Sequence, residues 1–62
     1  MNSEKQYYVV LNGSQKLLYD EDRNKWTIFQ NRATKFDLDT AFDFANSLME
    51  VNPNKKITVE EV

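Results

Sequence analysis

Apolar and polar residues alternate with two different periods along this chain. Gln6 to Leu11 (QYYVVL) is dominated by β-branched and aromatic residues, the composition of a strand. It runs into Asn12-Gly13, the dipeptide suited to the φ > 0 positions of a type I′ turn. A second strand is therefore expected from Ser14 to Tyr19, with Leu11 facing Ser14, Val9 facing Lys16, Tyr8 facing Leu17 and Tyr7 facing Leu18. Asp20 to Lys25 (DEDRNK) is polar throughout and reads as a loop, and Trp26 to Phe29 (WTIF) as a third strand. The period then changes. Leu38, Ala41, Phe42, Ala45, Leu48 and Met49 recur at helical spacing, predicting a helix from Leu38 to about Val51. Asp37 is placed to cap its start, Phe36 to plug the end of the core, and Asn52-Pro53-Asn54 to stop the helix. Lys55 to Glu60 (KKITVE) returns to the strand period, with Ile57 and Val59 on one side.

The element order is thus β-β-β-α-β, an α+β class with a mostly antiparallel four-stranded sheet and one helix packed on one face. A right-handed crossover would seat the last strand beside the first and parallel to it, giving the order 4-1-2-3. If Tyr19 faces Trp26, one sheet face carries Tyr8, Val10, Leu17, Tyr19, Trp26 and Ile28, taken here as the core face. The opposite face then carries Tyr7, Val9, Leu11, Lys16, Leu18, Thr27 and Phe29, more apolar than a solvated face should be.

Size sharpens that problem. Sixty-two residues form a single domain, with residues 1–5 expected to fray, and a chain this short buries only about 60% of its unfolded surface. No cysteine is present to staple it. Stability must come from a core rich in large residues, which an aromatic content of 13% supports, or from burial of a second face in a homodimer. The absence of cysteine fits a reducing cytoplasm and equally a secreted chain without disulfides. Met1 to Gln6 is polar and charged, unlike a signal peptide, and no apolar run approaches the roughly 18 residues that span a membrane. A net charge of −2 announces no class of partner.

The inventory argues against an enzyme. Without histidine or cysteine, the usual general base and thiol nucleophile are missing. Ser3, Ser14 and Ser47 have no evident activating partner, and Asp37, Asp39 and Asp43 read as a helix cap and a solvated face. Asp20-x-Asp22-x-Asn24 opens like a calcium loop, but Lys25 stands where glycine is required and Asn31 where the bidentate glutamate belongs. No cofactor and no metal are expected.

Binding surfaces remain. The outward helix face carries Asp39, Asp43, Asn46, Ser47 and Glu50, and no lysine or arginine occurs from Phe36 to Asn54. It is either a solvated face or, through Asp39, Asp43, Ser47 and Glu50, an acidic patch offered to a basic protein surface. Phe44 and Val51 flank the apolar stripe. They either cover a sheet edge or join Tyr7, Val9, Leu11, Leu18 and Phe29 in a contact between two copies of the chain. Lys16, Arg23, Lys25, Arg32 and Lys35 interleave with Tyr19, Trp26 and Phe29 in a mixture that can track a nucleic-acid backbone. Asp20, Glu21 and Asp22 sit among them and would repel phosphates, so nucleic acid is the alternative partner rather than the leading one.

The sequence of YYVVLNG, a Leu-Tyr strand, a polar loop, Trp26-Thr27, Ala33-Thr34-Lys35-Phe36, an alanine-bearing helix and a short Ile/Val strand resembles small proteins encoded by bacteriophages and prophages of Gram-positive bacteria. The resemblance covers nearly the whole chain, rests on structural residues, and carries no active site. It implies expression in the cytoplasm of an infected host and stoichiometric action on a host or defence protein, as an inhibitor working by occlusion. An accessory structural subunit of the phage is the blander alternative.

Overall fold

The computed structural model describes residues 5–62, so the fraying expected of residues 1–5 falls, Lys5 apart, outside the described part. The strands are β1 (Tyr7–Asn12), β2 (Leu17–Asp20), β3 (Lys25–Thr27) and β4 (Lys56–Glu61); a 3-10 turn spans Gln30–Arg32 and helix α1 spans Leu38–Val51. The sheet order is β3-β2-β1-β4, which is the expected 4-1-2-3 read from the other edge. All three pairings are antiparallel, so β4 does not run parallel to β1 as the crossover rule suggested.

The reason lies in how the chain leaves β3. Tyr7 and Phe36 exchange backbone hydrogen bonds of 2.8 Å in both directions, and Thr34 N–H donates to the Tyr19 carbonyl at 3.0 Å. Residues 34–36 are therefore wedged between the first residue of β1 and the end of β2. The chain has been carried back to the end of the sheet where β1 begins before the helix starts. At 1.5 Å per residue, fourteen helical residues cover about 21 Å, close to the roughly 20 Å of a six-residue strand. α1 thus delivers the chain to the far end of the sheet, and β4 returns antiparallel.

The first turn also differs from expectation. β1 and β2 pair as Val10↔Leu18 and Leu11↔Leu17, three residues away from the register of an Asn12-Gly13 turn. Asn12 instead extends β1 alongside β4, opposite Lys56, and its Nδ2 donates to Thr58 Oγ1 at 2.9 Å. Gly13 does not adopt positive φ; among the described residues that conformation falls to Asn24, at φ 57°, in the loop after β2. Asparagine tolerates it through local hydrogen bonding. The pairing of Tyr19 with Trp26 is as expected.

An odd shift of register exchanges the faces of β1. The helix-side core is built on Val9, Tyr19, Phe36, Ala41, Ala45 and Ile57, with Tyr7, Leu11, Trp26, Phe44, Leu48, Met49 and Val59 packed around it. Tyr8 and Val10, expected there, lie on the other face with Leu18 and Ala33. That face is covered within the chain: β3 ends at Thr27, and the connection then lays Ala33 against Tyr8, Val10 and Leu18 before passing through the wedge to Phe36. Ile28, expected in the core, leaves the sheet with Phe29 and is half exposed.

In α1, Asp37 caps the start as expected, its Oδ1 accepting from Thr40 N–H at 3.0 Å. Asn52 closes the end, its backbone N–H and Nδ2 both donating to the Leu48 carbonyl. Ala41 and Ala45 sit directly on the sheet, but the flanks differ from the predicted stripe: Phe44 packs inward while Leu38 and Phe42 are exposed. α1 lies over β1 and β4 rather than over the sheet centre. Phe44 therefore has Tyr19 and Phe36 beneath it, with ring centroids at 4.9 and 5.3 Å, whereas Phe42, on the opposite flank, has none.

Two substitutions test this description by chemical denaturation. Phe36→Ala removes the side chain that anchors the wedge and is expected to cost about 3–5 kcal/mol, against a total of roughly 3–9 kcal/mol for a domain of this size. Gly13→Ala would be damaging in a type I′ turn. Here φ is not positive and no atom lies within 4 Å of an added Cβ, so it should be neutral or stabilising by about 0.4–1 kcal/mol.

Candidate functional site

The loop after β2 holds the deepest charge. Asp20 is fully buried among the described residues, on the face away from the helix. Its Oδ2 accepts from Arg23 Nη1 at 3.0 Å and its Oδ1 from Arg23 N–H at 3.3 Å. The loop is tied down further by Glu21 N–H donating to Thr34 Oγ1 at 2.8 Å and by the Tyr19 hydroxyl donating to Asn24 Oδ1. Burial pushes the Asp20 carboxyl up, but the Arg23 side-chain and backbone hydrogen bonds, the guanidinium charge and the Asp22 backbone together outweigh it and hold the pKa below the ordinary value. The residues that open like a calcium loop are thus spent on a turn that locks β2 to β3 and to the wedge. Among the described residues no three acidic or metal-ligating side chains gather to hold a metal ion. Ser14 lies in the exposed loop after β1 and Ser47 on the exposed face of α1, while Ser3 falls outside the described residues.

The acidic helix face is assembled as the spacing suggested. Asp39, Asp43, Asn46, Ser47 and Glu50 are all exposed on α1, and among the described residues Asp39, Asp43 and Glu50 enter no ion pair. Asp43 and Ser47 also line, with Thr40 and Phe44, a shallow hollow of about 280 Å³. At about 100° per residue, Asp39, Asp43 and Glu50 point away from the sheet, and the hollow lies on the flank toward β2 and β3.

The residues considered for self-association do not form one exposed patch. Tyr7, Val9, Leu11 and Phe44 belong to the helix-side core, Val9 with no exposed surface, and Leu18 is buried on the other face. Phe29 and Val51 are exposed but belong to different elements, the β3–α1 connection and the last turn of the helix. On the face away from the helix Tyr8, Val10 and Leu18 are buried, while a hollow of about 260 Å³ remains there beside Ile28, Lys16 and Glu60. The five basic residues are dispersed as well. Lys16 pairs with Glu60 at 2.7 Å, Arg23 with Asp20, and Arg32 stacks over the Phe29 ring at 5.3 Å, leaving Lys25 and Lys35 exposed.

Sequence reasoning did not single out the outer edge of β4. Its signal was present in the alternation of Ile57 and Val59 with polar neighbours, bracketed by lysines before and glutamates after. No helix among the described residues is long and apolar enough to cross a membrane.

The Asp20 geometry carries a pH prediction. Asp37 is likewise lowered, by its hydrogen bonds from Thr40. A carboxyl whose folded pKa lies below its unfolded value adds stability that is complete above the ordinary aspartate value and is lost as pH falls through the folded one. Side-chain carboxyl titration by NMR should place both groups below the usual aspartate midpoint. Arg23→Ala should raise the Asp20 midpoint, because burial is then less opposed; an unmoved midpoint would contradict the assignment. Comparison of the chain with protein-family models, with curated proteins and with solved structures finds no match.

Proposed function

We propose that this chain is a small protein-binding module acting stoichiometrically, by covering a basic surface of a partner protein with the outward face of α1. The observation that carries this reading is an acidic face without a balancing base: Asp39, Asp43 and Glu50 are exposed and unpaired among the described residues. Like charges at i and i+4 such as Asp39 and Asp43 cost an isolated helix a few tenths of a kcal/mol, so intrinsic helix stability gives no reason for them beyond the favourable position of Asp39 in the first turn. The face is also held rigid by caps at both ends of α1 and borders the apolar hollow at Phe44, a pairing of charge and apolar surface suited to protein recognition. The resemblance to small phage proteins supports a host or defence protein as the class of partner, met in the host cytoplasm. The nucleic-acid reading has less support, because three of its five basic residues already have partners within the chain.

The combined reversal Asp39→Lys, Asp43→Lys and Glu50→Lys tests the surface. Pull-down from host lysate with the wild-type chain should retain a partner that the reversed chain loses, while far-ultraviolet circular dichroism shows the same folded domain. Equal retention by both chains would reject the α1 face as the binding surface.

A further inference from the structure

The sheet has two edges, and they are unequal. β3 is only three residues long, whereas β4 presents six, Lys56–Glu61. Which of its groups are free follows from the pairing. Tyr7 directs its N–H and C=O toward Phe36, away from β4, so the alternate residues Tyr8, Val10 and Asn12 direct theirs toward β4 and meet Glu60, Thr58 and Lys56. The Val62 N–H donating to the Gln6 carbonyl at 2.8 Å continues the same alternation. Ile57, Val59 and Glu61 therefore turn their backbone groups outward, and among the described residues nothing meets them. Charged side chains on such an edge ordinarily discourage pairing with another strand.

On β4 the charges are ordered. About Thr58 the chain reads Lys55, Lys56, Ile57 on one side and Val59, Glu60, Glu61 on the other. We propose that β4 pairs antiparallel with β4 of a second copy of this chain about a two-fold axis at Thr58, forming a continuous eight-stranded sheet. In that register Ile57 faces Val59 of the second copy and both direct their backbone groups across the junction. Lys56 faces Glu60 and Lys55 faces Glu61, twice each by symmetry. Within the chain Glu60 also meets Lys16 at 2.7 Å and Glu61 meets Lys5 at 3.8 Å, exposed pairs that each carboxylate would share with the lysine of the second copy. A shift of the register by two residues removes most of these opposite-charge pairs, so the same charges that repel other strands select this one.

The helix layer fits the same junction. α1 packs on both β1 and β4, and an axis seated between them would lie about half a strand spacing inside the edge. With strands about 4.8 Å apart, the two helix axes would lie about 10 Å apart, the ordinary distance for packed helices. The flank of α1 that would meet its counterpart, opposite Phe44, carries Leu38 and Phe42, which are 42% and 51% exposed. Asp39, Asp43 and Glu50 point away from the sheet and stay accessible. The inference is independent of the function proposed above.

A charge swap decides it. Lys55→Glu with Lys56→Glu gives a strand that is acidic at both ends, and Glu60→Lys with Glu61→Lys one that is basic at both ends. In sedimentation velocity the wild type should form dimers, each swapped chain alone should dimerise at least about tenfold more weakly, and the equimolar mixture should recover a dimer. A wild type that stays monomeric, swapped chains that dimerise as well as wild type, or a mixture that stays monomeric would each overturn the proposal. Hydrogen exchange on the unaltered chain reads the same contact: the Ile57 and Val59 amides should gain protection with concentration while Thr58, bonded inside the sheet, stays protected throughout. Fast exchange of Ile57 and Val59 at every concentration would equally overturn it.

Discussion

The backbone of Thr34 to Phe36, held between the end of β2 and the start of β1, is the constraint on which the rest of the molecule depends. Through the two Tyr7–Phe36 bonds and the Thr34–Tyr19 bond the connection after β3 becomes part of the sheet. It passes from one face to the other there, with Ala33 packed below and Phe36 above. One short segment thus follows directly on the packing of Ala33 against the second face, starts the helix at the correct end and sets the direction of β4. Thr34 Oγ1, by accepting from Glu21 N–H, also ties the wedge to the loop that buries Asp20. A small chain without disulfides gains from this economy, because the connection is not left as a free loop but covers apolar surface on both sides of the sheet.

Much of this was legible in the residues. The helix from Leu38 to Val51, its Asp37 cap and the facing of Tyr19 and Trp26 follow from spacing and local chemistry, whereas the strand order is reached through a parallel crossover that the antiparallel β4 does not make. The register of the first hairpin did not. β1 is apolar on both faces, so its own pattern permits either assignment, and Asn12-Gly13 imitates a tight turn. The information that resolves the ambiguity sits far away in sequence, in β4: Ile57 and Val59 alternate with Thr58 and Glu60, and their pairing with Leu11 and Val9 decides which face of β1 meets the helix. Phe42 and Phe44 show the same limit. Both lie beside the alanine stripe, and only the position of α1 over β1 and β4 determines that Phe44 is covered and Phe42 is not.

The candidate surfaces depend on the fold to different degrees. The acidic residues of α1 needed only helical spacing to be placed, and they stand together. The apolar surplus of the second face depended on the register of β1: Tyr7, Val9 and Leu11 turn to the helix, Leu18 is covered with Ala33 on the other face, and Phe29 stays exposed. The molecule then offers two separate surfaces, a polar helix face turned outward and a strand whose charges complement its own reversal, and neither competes with the core for the same side chains.

Native-state hydrogen exchange at Tyr7, Thr34 and Phe36 tests the central constraint most directly. If the wedge is an integral part of the sheet, these three amides exchange only with global unfolding, as slowly as Val10 in the centre of β1. Exchange of Thr34 and Phe36 as fast as that of the exposed residues 28–32, with Val10 still protected, would show that the segment is a loop resting on the sheet and that the fold is organised by something else.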